Sequence, residues 1–307
     1  MILIITHKED FTADFVIEKL NSRGIKYFRL NCEDIDSDVY NFENNNNFHF
    51  SLNDLSSFTS VWFRRTKLPE INNNNEAEKL YLLADYESLW DNIYSLIDTK
   101  KWLSDPKHIY SAENKILQLN VAKSIGFSIP ETIVTNSHKK VHDFISKFES
   151  SVIVKPIRQG RIQQKKGFST IFTNKLSMQK IKELNHYDLT PCIFQEYVEK
   201  EYELRVTVVG NKVFSAKINS QTSDETRIDW RKEKMPFEKY SLPADILEKC
   251  ILITEKLQLS FGAIDIIKTP KNEYVFLEIN PNGQWAWLET ELGLPISDEI
   301  INYLTSN

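Results

Sequence analysis

Glycine is scarce in this chain, with 8 residues in 307, against a usual share of about 7%. Any loop that binds phosphate through backbone amides must therefore manage with few glycines. Cysteine is rare too, at 3 residues, and no pair has the spacing of a zinc site. We therefore expect reduced thiols rather than a disulfide framework or a structural zinc. No apolar run approaches the roughly 18 residues of a membrane span, so we expect no membrane partner.

An excess of positive charge is also lacking, because 38 Lys+Arg stand against 43 Asp+Glu, a net charge of -5. No overall basic field favours nucleic acid, and we expect no nucleic-acid partner. The opening run MILIITHKEDF has no basic leader and only a short apolar stretch. It does not resemble a signal peptide, which predicts a cytoplasmic protein.

The predicted elements indicate an α/β (α+β) fold. A strand over 2–5, a helix over 12–22 and a strand over 27–30 open the chain. This order predicts a small domain with a parallel sheet. A second amphipathic helix is predicted over 76–96, and a strand over 61–65 precedes it.

The middle of the chain begins at a break, Ser104-Asp-Pro106. Ser111 is then expected to cap a helix over 112–125. Strands are predicted over 152–155, 168–173 and 192–198, and a hairpin turns at Gly210-Asn211.

The last two predicted strands carry acids in apolar surroundings, Asp265 in AIDII and Glu278 in VFLEI, with Asn280 following. A four-residue connection, with Lys268 opposite Glu273, places all three on one face and the two carboxylates within ~7–8 Å. A five-residue connection would place Asp265 on the other face. Oxygen ligands at that reach suit Mg²⁺. A solvated acidic face is the alternative, but charges in apolar strands rarely stay unpaired, which favours a metal site.

Two lysines are candidates for binding phosphate. Lys115 lies in the first turns of the helix after the break, and Lys155 ends the apolar strand VIVK. Taken singly, each is more often a surface lysine. The following loop, 158–167, could close over a triphosphate through its backbone amides. It contains two glycines and several basic residues, Gly160, Gly167, Arg161, Lys165 and Lys166.

The strand over 192–198 leads into a charged linker. Backbone groups at such a strand end can read an adenine edge, and Glu203 downstream can accept ribose hydroxyls. Arg205 shares a face with Glu203. A salt-bridged edge strand is the alternative interpretation.

Taken in order, six short motifs resemble the ATP-grasp superfamily. They lie within about 105–300 and are Asn114-Lys115, Val152-Ile-Val-Lys-Pro156, Gln195-Glu-Tyr-Val198, Glu203-Leu-Arg205, Ala263-Ile-Asp265 and Leu277-Glu-Ile-Asn-Pro281. The resemblance implies a small N-terminal α/β domain over 1–104. It also implies a central domain over 105–190 and a C-terminal domain over 191–307, which clasp ATP between them.

The same resemblance implies the roles of individual residues. Lys115 and Lys155 would hold the phosphates, and Glu203 the ribose. The backbone of Glu196, Tyr197 and Val198 would bind the adenine. Two Mg²⁺ ions would be bound by the remaining three residues, Asp265, Glu278 and Asn280.

A narrower resemblance rests on Trp62-Phe-Arg-Arg65, Ser220-Gln221, Asp229-Trp-Arg231 and above all the run NPNGQWAW from Asn280 to Trp287. These motifs resemble the ATP-grasp peptide maturases of the graspetide group, which includes the microviridin, plesiocin and thuringinin systems. The resemblance implies an enzyme acting on a ribosomal precursor peptide with a leader and a core. It would join Asp or Glu side chains of the core to Thr, Ser or Lys side chains as ω-ester or ω-amide macrocycles.

The expected chemistry is carboxylate activation by phosphorylation. We expect Arg205 and Arg227 to hold phosphate and the acceptor carboxylate, with Arg231 close by. The loop 158–167 and a helix over 176–185 are candidates for docking the leader. Arg64 and Arg65 either border a peptide groove or form a surface ion pair.

Two other functions remain open. One is a ligase that adds a free amino acid to a protein or peptide carboxylate, as the ribosomal-protein glutamate ligases do. The other is an inactive scaffold that binds nucleotide and peptide, which the retention of all three metal-site residues disfavours. Many ATP-grasp relatives are dimers, so a homodimer is also compatible with the sequence.

Overall fold

The structure is a computed structural model that describes residues 1–44, 46–73, 75–149, 151–158, 161–163, 168–171, 173–184, 191–223 and 226–306. Of these, 161–163 and 168–170 are described by their backbone alone. The strands are β1 Ile2–Thr6, β2 Tyr27–Asn31, β3 Tyr40–Asn44, β4 Phe48–Leu52, β5 Ser60–Phe63, β6 Trp102–Leu103, β7 Thr132–Val134, β8 Val152–Pro156, β9 Arg161–Gln163, β10 Phe168–Thr170, β11 Asn174–Lys175, β12 Cys192–Glu196, β13 Tyr202–Val209, β14 Lys212–Ile218, β15 Phe237–Lys239, β16 Phe261–Lys268 and β17 Tyr274–Asn280. The helices are α1 Phe11–Ser22, α2 Glu76–Leu96, α3 Pro106–Ala112, α4 Lys115–Ser124, α5 His138–Lys147, α6 Met178–Lys182, α7 Ala244–Lys256, α8 Ala286–Leu292 and α9 Ile296–Thr305.

The N-terminal part contains a parallel sheet with the strand order β2-β1-β5-β6, as its opening pattern predicts. All five residues of β1 are buried. Helix α1 begins where the Asp10 carboxylate accepts hydrogen bonds from the Thr12 and Ala13 N–H groups. Gly24 follows its end with a φ of 65°, a left-handed conformation that glycine adopts without steric cost.

The central part is an antiparallel sheet with the order β11-β8-β12-β7. One face of this sheet packs against α5 through a small core of its own, to which Val141, Ile145, Val152 and Phe194 belong. The other face is therefore free to line a cleft.

The C-terminal part is a five-stranded antiparallel sheet with the order β15-β14-β13-β16-β17. Its two faces pack differently. One face shares a core with β1 and β5, which includes Leu3, Val61, Leu204 and Ile264. The other face shares a second core with β1, α8 and α9. The N-terminal part of the chain therefore packs against both faces of the five-stranded C-terminal sheet.

The expected cap at Ser111 is wrong. Ser111 lies inside α3, which begins at Pro106 after Asp105 accepts a hydrogen bond from the Lys107 N–H. Asn114 is the cap of α4, because its side chain accepts from the Ile116 and Leu117 N–H groups. Proline at the first position favours the earlier start of a helix.

The two strands of the final hairpin do not pair in the expected register. Lys268 pairs with Tyr274 rather than Glu273, so the connection is the five-residue one. A β-bulge follows, since Ile266 pairs with Phe276 while Asp265 pairs with Glu278. The unpaired extra residue is Leu277, and it restores the parity that the longer connection had changed. Asp265 and Glu278 are therefore directly opposite each other and point to one face.

Three other predictions need new bounds. The strand expected over 61–65 ends at Phe63, and the helix expected over 176–185 is Met178–Lys182 within the described chain. The strand expected over 168–173 is the shorter β10, Phe168–Thr170. Part of the predicted phosphate loop lies outside the described residues, as does the end of that helix, namely Gly160, Lys165, Lys166, Gly167 and Asn185. None of the helices within the described ranges is long and apolar enough to cross a bilayer.

Candidate functional site

A cleft of about 320 Å³ lies between the central and C-terminal sheets, within the usual range of about 300–1,000 Å³ for ligand sites. It collects most of the residues that the sequence predicts for the site. Ten of the twelve line it, namely Lys115, Lys155, Glu196, Tyr197, Val198, Glu203, Arg231, Asp265, Glu278 and Asn280. Arg205 and Arg227 do not line this cleft.

The floor of the cleft carries two carboxylates, Asp265 and Glu278, each beside a cation. The Lys115 Nζ lies 3.2 Å from Oε2 of Glu278. The Arg205 Nη1 donates to Oδ1 of Asp265 at 3.0 Å. The two carboxylate side chains are 14% and 24% exposed, so they face the cleft rather than bulk water.

The two carboxylates differ in their protonation behaviour. Burial opposes the ionisation of Glu278, but the charges of Lys115, Lys155 and Arg231 overcome this effect and lower its pKa to about 2. Burial raises the pKa of Asp265, and the neighbouring Glu278 charge raises it further, while Arg205 opposes both. Two like charges on directly opposite residues favour a cation between them.

The residues present fit a hard cation. Within the described chain, no three side chains of the His, Cys, Asp and Glu types converge as a metal cluster. The donor set is instead two carboxylates and the amide of Asn280. Its Oδ1 accepts from the Asn282 N–H at 3.1 Å and has a second lone pair available. Mg²⁺ commonly binds through one or two carboxylates and completes its shell with water and phosphate.

Lys155 is buried beside this pair, with 8% of its surface exposed. Burial lowers its pKa to about 8, although the Glu278 carboxylate opposes that shift. The charges of Lys115 and Arg231 lower it further. In its protonated form, a lysine in this position can bind an anionic ligand in the cleft.

The end of β12 supplies the backbone predicted to meet a base. The Glu196 N–H donates to the Glu131 carbonyl at 3.0 Å, and the Tyr197 N–H donates to the Ser151 carbonyl at 2.8 Å. Because these two donors are engaged within the sheet, the Val198 N–H is the candidate donor to a ligand.

Glu203 is buried and paired with a residue that sequence reasoning missed. The Lys200 Nζ donates to its Oε1 at 2.8 Å and to the Ile228 carbonyl at 3.2 Å. Burial raises the pKa of Glu203, and Lys200 opposes this shift. Lys200 lies in the charged linker 199–201, whose composition resembles a solvated turn, so the sequence contained no signal for its burial.

The three predicted arginines have different surroundings. Arg231 binds Asp229 through two hydrogen bonds of 2.8 and 2.6 Å. Arg205 is buried, and its Nη2 donates to the Gln284 carbonyl at 3.3 Å. The charge of Arg227 lowers the pKa of Tyr197, although burial of the phenol raises it more. Their assignment as catalytic residues stays a prediction.

The run from Asn280 to Trp287 lies beneath Arg205. A Cβ at Gly283 would come within 2.4 Å of the Ala263 Cβ and 2.7 Å of the Arg205 Nη2. Only glycine permits that approach. Further along, Trp285 is buried with an edge-on contact to Phe15.

A second, larger cleft of about 1120 Å³ lies beyond that run. Its walls come from residues that follow β1, from residues that follow β5, and from α8. Parallel sheets commonly bind ligands where the strand order reverses, and β1 and β5 meet at that point. Arg65 lines this cleft. Arg64 does not border it, because it is 1% exposed and donates to Asp10 at 3.2 Å.

Two sheets that enclose a cation-rich cleft with paired carboxylates are the arrangement expected of the ATP-grasp class. The RimK-like ATP-grasp domain family matches residues 112–304, and the MvdD pre-ATP grasp domain family matches residues 1–109. The chain belongs to the RimK-like ATP-grasp family. It is therefore an enzyme of the ATP-dependent ligase type.

Solved structures resemble the whole chain. The macrocyclase MdnC of Microcystis aeruginosa, solved with the precursor peptide MdnA, is 30% identical with a TM-score of 0.86, and 99% of each chain is covered. A RiPP-associated ATP-grasp ligase of Chryseobacterium gregarium, solved with ADP and a leader and core peptide, is 29% identical with a TM-score of 0.87. That match covers 99% of this chain and 96% of the other.

A more distant relative bears on the alternative function. A probable alpha-L-glutamate ligase of Haemophilus influenzae is 22% identical over 250 residues. The match covers 76% of this chain and 80% of the relative.

Proposed function

We propose that this protein is an ATP-dependent peptide maturase that closes macrocycles within a ribosomally made precursor peptide. It phosphorylates an Asp or Glu side chain of the precursor and joins it to a Thr, Ser or Lys side chain as an ω-ester or ω-amide. The observation that carries the proposal is the Asp265–Glu278 pair on the floor of a cation-rich cleft. Similarity over 99% of the chain to a macrocyclase solved with its precursor supports a peptide substrate.

ATP and Mg²⁺ are the cofactors that this site supports, and we infer two ions. Asp265, Glu278 and Asn280 would hold them, since all three present oxygen atoms to the cleft. Bound there, the ions supply charge neutralisation for the transferring phosphoryl group. Lys115 and Lys155 add fixed positive charge beside the same group.

The nucleoside end of the ligand is assigned to the opposite end of the cleft. Its base would lie against the backbone of Glu196, Tyr197 and Val198. Its ribose would lie near Glu203, whose carboxylate retains acceptor capacity beside Lys200.

The reaction proceeds in two steps. A carboxylate oxygen of the peptide attacks the terminal phosphorus of ATP, and ADP leaves. A hydroxyl or amine of the same peptide then attacks the acyl carbon and loses its proton, and inorganic phosphate departs as the ester or amide forms. In this proposal Arg205, Arg227 and Arg231 hold the phosphate and the acceptor carboxylate. Docking of a leader raises the effective molarity of weak side-chain nucleophiles.

The second cleft is assigned to the core of the peptide. It adjoins the first cleft through Gln284, whose carbonyl accepts from the same Arg205 that binds Asp265. Arg65 and Lys67 line it together with four acids, Glu9, Asp10, Glu70 and Glu291, so charges of both signs would face a bound peptide.

A mass measurement tests the proposed function. The protein is incubated with ATP, Mg²⁺ and a candidate precursor rich in Thr and in Glu or Asp, and the peptide is weighed. Loss of one water mass for each ring is expected. The Glu278→Gln variant is the control that should leave the peptide unchanged.

The alternatives give different results in the same measurement. A gain in peptide mass with free glutamate present would favour an amino-acid ligase, the function for which the Haemophilus relative is named. An unchanged peptide, with nucleotide still bound, would favour the inactive scaffold.

A further inference from the structure

Gln118 lies on α4 and reaches the outer edge of the C-terminal sheet. β17 is an outer strand of that sheet, so the backbone groups on its outer side need partners from outside the sheet. At Ile279 the Gln118 amide supplies both partners. Its Nε2 donates to the Ile279 carbonyl at 2.8 Å, and its Oε1 accepts from the Ile279 N–H at 3.1 Å. One side chain therefore replaces the pairing that a neighbouring strand would give to this residue.

A third hydrogen bond fixes which way the amide is turned. The Gln118 Nε2 also donates to the Ala112 carbonyl at 2.6 Å, at the end of α3. Both protons of the NH₂ group are then used on carbonyls. The reversed amide would face these two carbonyls with its oxygen and the Ile279 N–H with its NH₂ group, so it would lose all three bonds. Gln118 is 2% exposed, so bulk water does not compete for these groups.

Ile279 lies between two of the residues assigned to the proposed metal site. Glu278 precedes it and Asn280 follows it, and alternate residues of a strand point to the same face. Helix α4 carries Lys115 three residues before Gln118, on the same side of the helix. The Lys115 Nζ lies 3.2 Å from Oε2 of Glu278. Helix α4 therefore holds β17 both by the Glu278 side chain and by the backbone directly beside it.

We propose that Gln118 is a positioning residue that holds the oxygen atoms of Glu278 and Asn280 in place for a shared cation. This inference rests on the proposed function and adds a residue that acts only through the backbone of Ile279. Three hydrogen bonds from one planar amide restrict rotation of the strand at this residue, and such a rotation would turn both neighbouring side chains together. Groups that hold metal-binding residues in place commonly contribute about 10-fold to 100-fold to metal affinity.

Calorimetry with ADP, in the presence and in the absence of Mg²⁺, tests this inference without turnover. The measured quantity is the gain in ADP affinity that Mg²⁺ brings. Gln118→Met keeps the length of the side chain and removes all three hydrogen bonds. We expect it to reduce that gain by about 10-fold to 100-fold, while the affinity for ADP without Mg²⁺ stays close to that of the wild type. Gln118→Glu has the same shape and should reduce the gain at least as far, because its second oxygen faces the carbonyls of Ala112 and Ile279.

Amide hydrogen exchange gives a local readout, and a distant variant gives the control. The Ile279 N–H should exchange slowly in the wild type and faster in Gln118→Met, while the amides of β13 keep their protection. Ser60 is also buried, and its hydroxyl donates to the Leu304 carbonyl at 2.7 Å. Ser60→Ala should lower the melting temperature through the loss of that bond and leave the gain from Mg²⁺ unchanged.

The possible failures are separable. A gain from Mg²⁺ that survives in both Gln118 variants overturns the positioning role and leaves the proposed function standing. Equal weakening of ADP with and without Mg²⁺ would show general damage to the cleft and would overturn that role too. Absence of any gain in the wild type overturns the proposed metal site, and this inference with it. Rapid exchange of the Ile279 N–H in the wild type overturns the role of Gln118 even if both variants fail to fold.

Discussion

Glu278 keeps its negative charge through the cations that surround it, with a pKa lowered to about 2. It is therefore ionised at any working pH, and Glu278→Gln imitates a protonated form that the protein does not populate. We expect this variant to lose Mg²⁺-dependent binding of ADP, because the side chain that would bind the metal loses its negative charge. We also expect its turnover to fall by at least about 100-fold. Calorimetry and peptide mass measure the two effects. Glu273→Gln, exposed in the adjoining turn, should behave as wild type; equal loss in both would point to hairpin damage.

Lys155 gives the site a dependence on pH. Burial lowers its pKa from 10.5 to about 8, so the ammonium that meets phosphate is lost as the pH rises through that value. Affinity for ADP without Mg²⁺ should be level from about pH 7, where the terminal phosphate is ionised, up to pH 8, and fall by up to about tenfold per pH unit above it. The effect on stability has the opposite sign, because the unfolded chain then binds more protons and the free energy of unfolding rises.

Lys155→Arg is the variant that isolates this charge. Arginine stays protonated at these pH values, so its affinity for ADP should be flat across the same range. A wild-type profile without a fall above pH 8 would contradict the role given to Lys155.

The sequence does not distinguish the surroundings of two adjacent arginines. Arg64 is buried against Asp10, whereas Arg65 lines the second cleft. Strand alternation predicts opposite directions for the two, but not which direction meets a cleft. Lys200 was missed because its burial depends on a distant partner, the Ile228 carbonyl, whereas its ion pair with Glu203, three residues along, would look the same on a solvated turn.

At the scale of elements, the pairing of β16 with β17 across the bulge at Leu277 sets the geometry of the acid pair. Deleting Leu277 removes the extra residue, so that Glu278 follows Phe276 directly and still lies opposite Asp265 in a regular ladder. We expect this variant to fold and to keep Mg²⁺-dependent binding of nucleotide, measured by calorimetry. Deleting Phe276 as well would bring Glu278 opposite Ile266 and turn its side chain to the opposite face, so binding should be lost. Loss of binding on deletion of Leu277 alone would show that the bulge itself, and not only the pairing, positions the acid pair.

The run that carries Gly283 supports Arg205 from below. Gly283→Ala places a methyl group 2.7 Å from the Arg205 Nη2, so the guanidinium or the loop must move. We expect turnover to fall by about tenfold or more, while the melting temperature changes little. Gly293→Ala is the matched control, because its φ of 60° is strained for alanine while no atom lies within 4 Å. It should lower stability by about 1 kcal/mol and keep turnover.

Element prediction succeeded where the signal was local. The helix over 76–96 has the bounds that its pattern predicts, because Asn75 caps its start and an apolar stripe follows. The shared face of Asp265 and Glu278 was expected for the wrong reason. Connection length and bulge each change the parity of a strand, and hydrophobic alternation does not reveal a bulge between apolar residues.

At the scale of the whole molecule, the sequence order conceals which parts share a core. The break near 104–106 lies between parts that pack into common cores, since Leu3 and Val61 join Leu204 and Ile264. An ion pair between Lys19 and Glu289, at 2.6 Å, adds a further connection. Contacts between residues some 200 positions apart follow from topology, which motif spacing does not encode.

These shared cores make a prediction about cooperative unfolding. The core around Val141, Val152 and Phe194 is separate and small, so it buries less apolar surface than the two cores that join β1 to β13. Hydrogen exchange at increasing denaturant should therefore expose the amides of α5 and β8 first, and those of β1 and β13 later and together. A chain that begins at 105 should accordingly fail to unfold cooperatively, because the C-terminal sheet would lose both partners. Loss of protection in β1 well before β13 would instead show that the units 1–104 and 191–307 are independent.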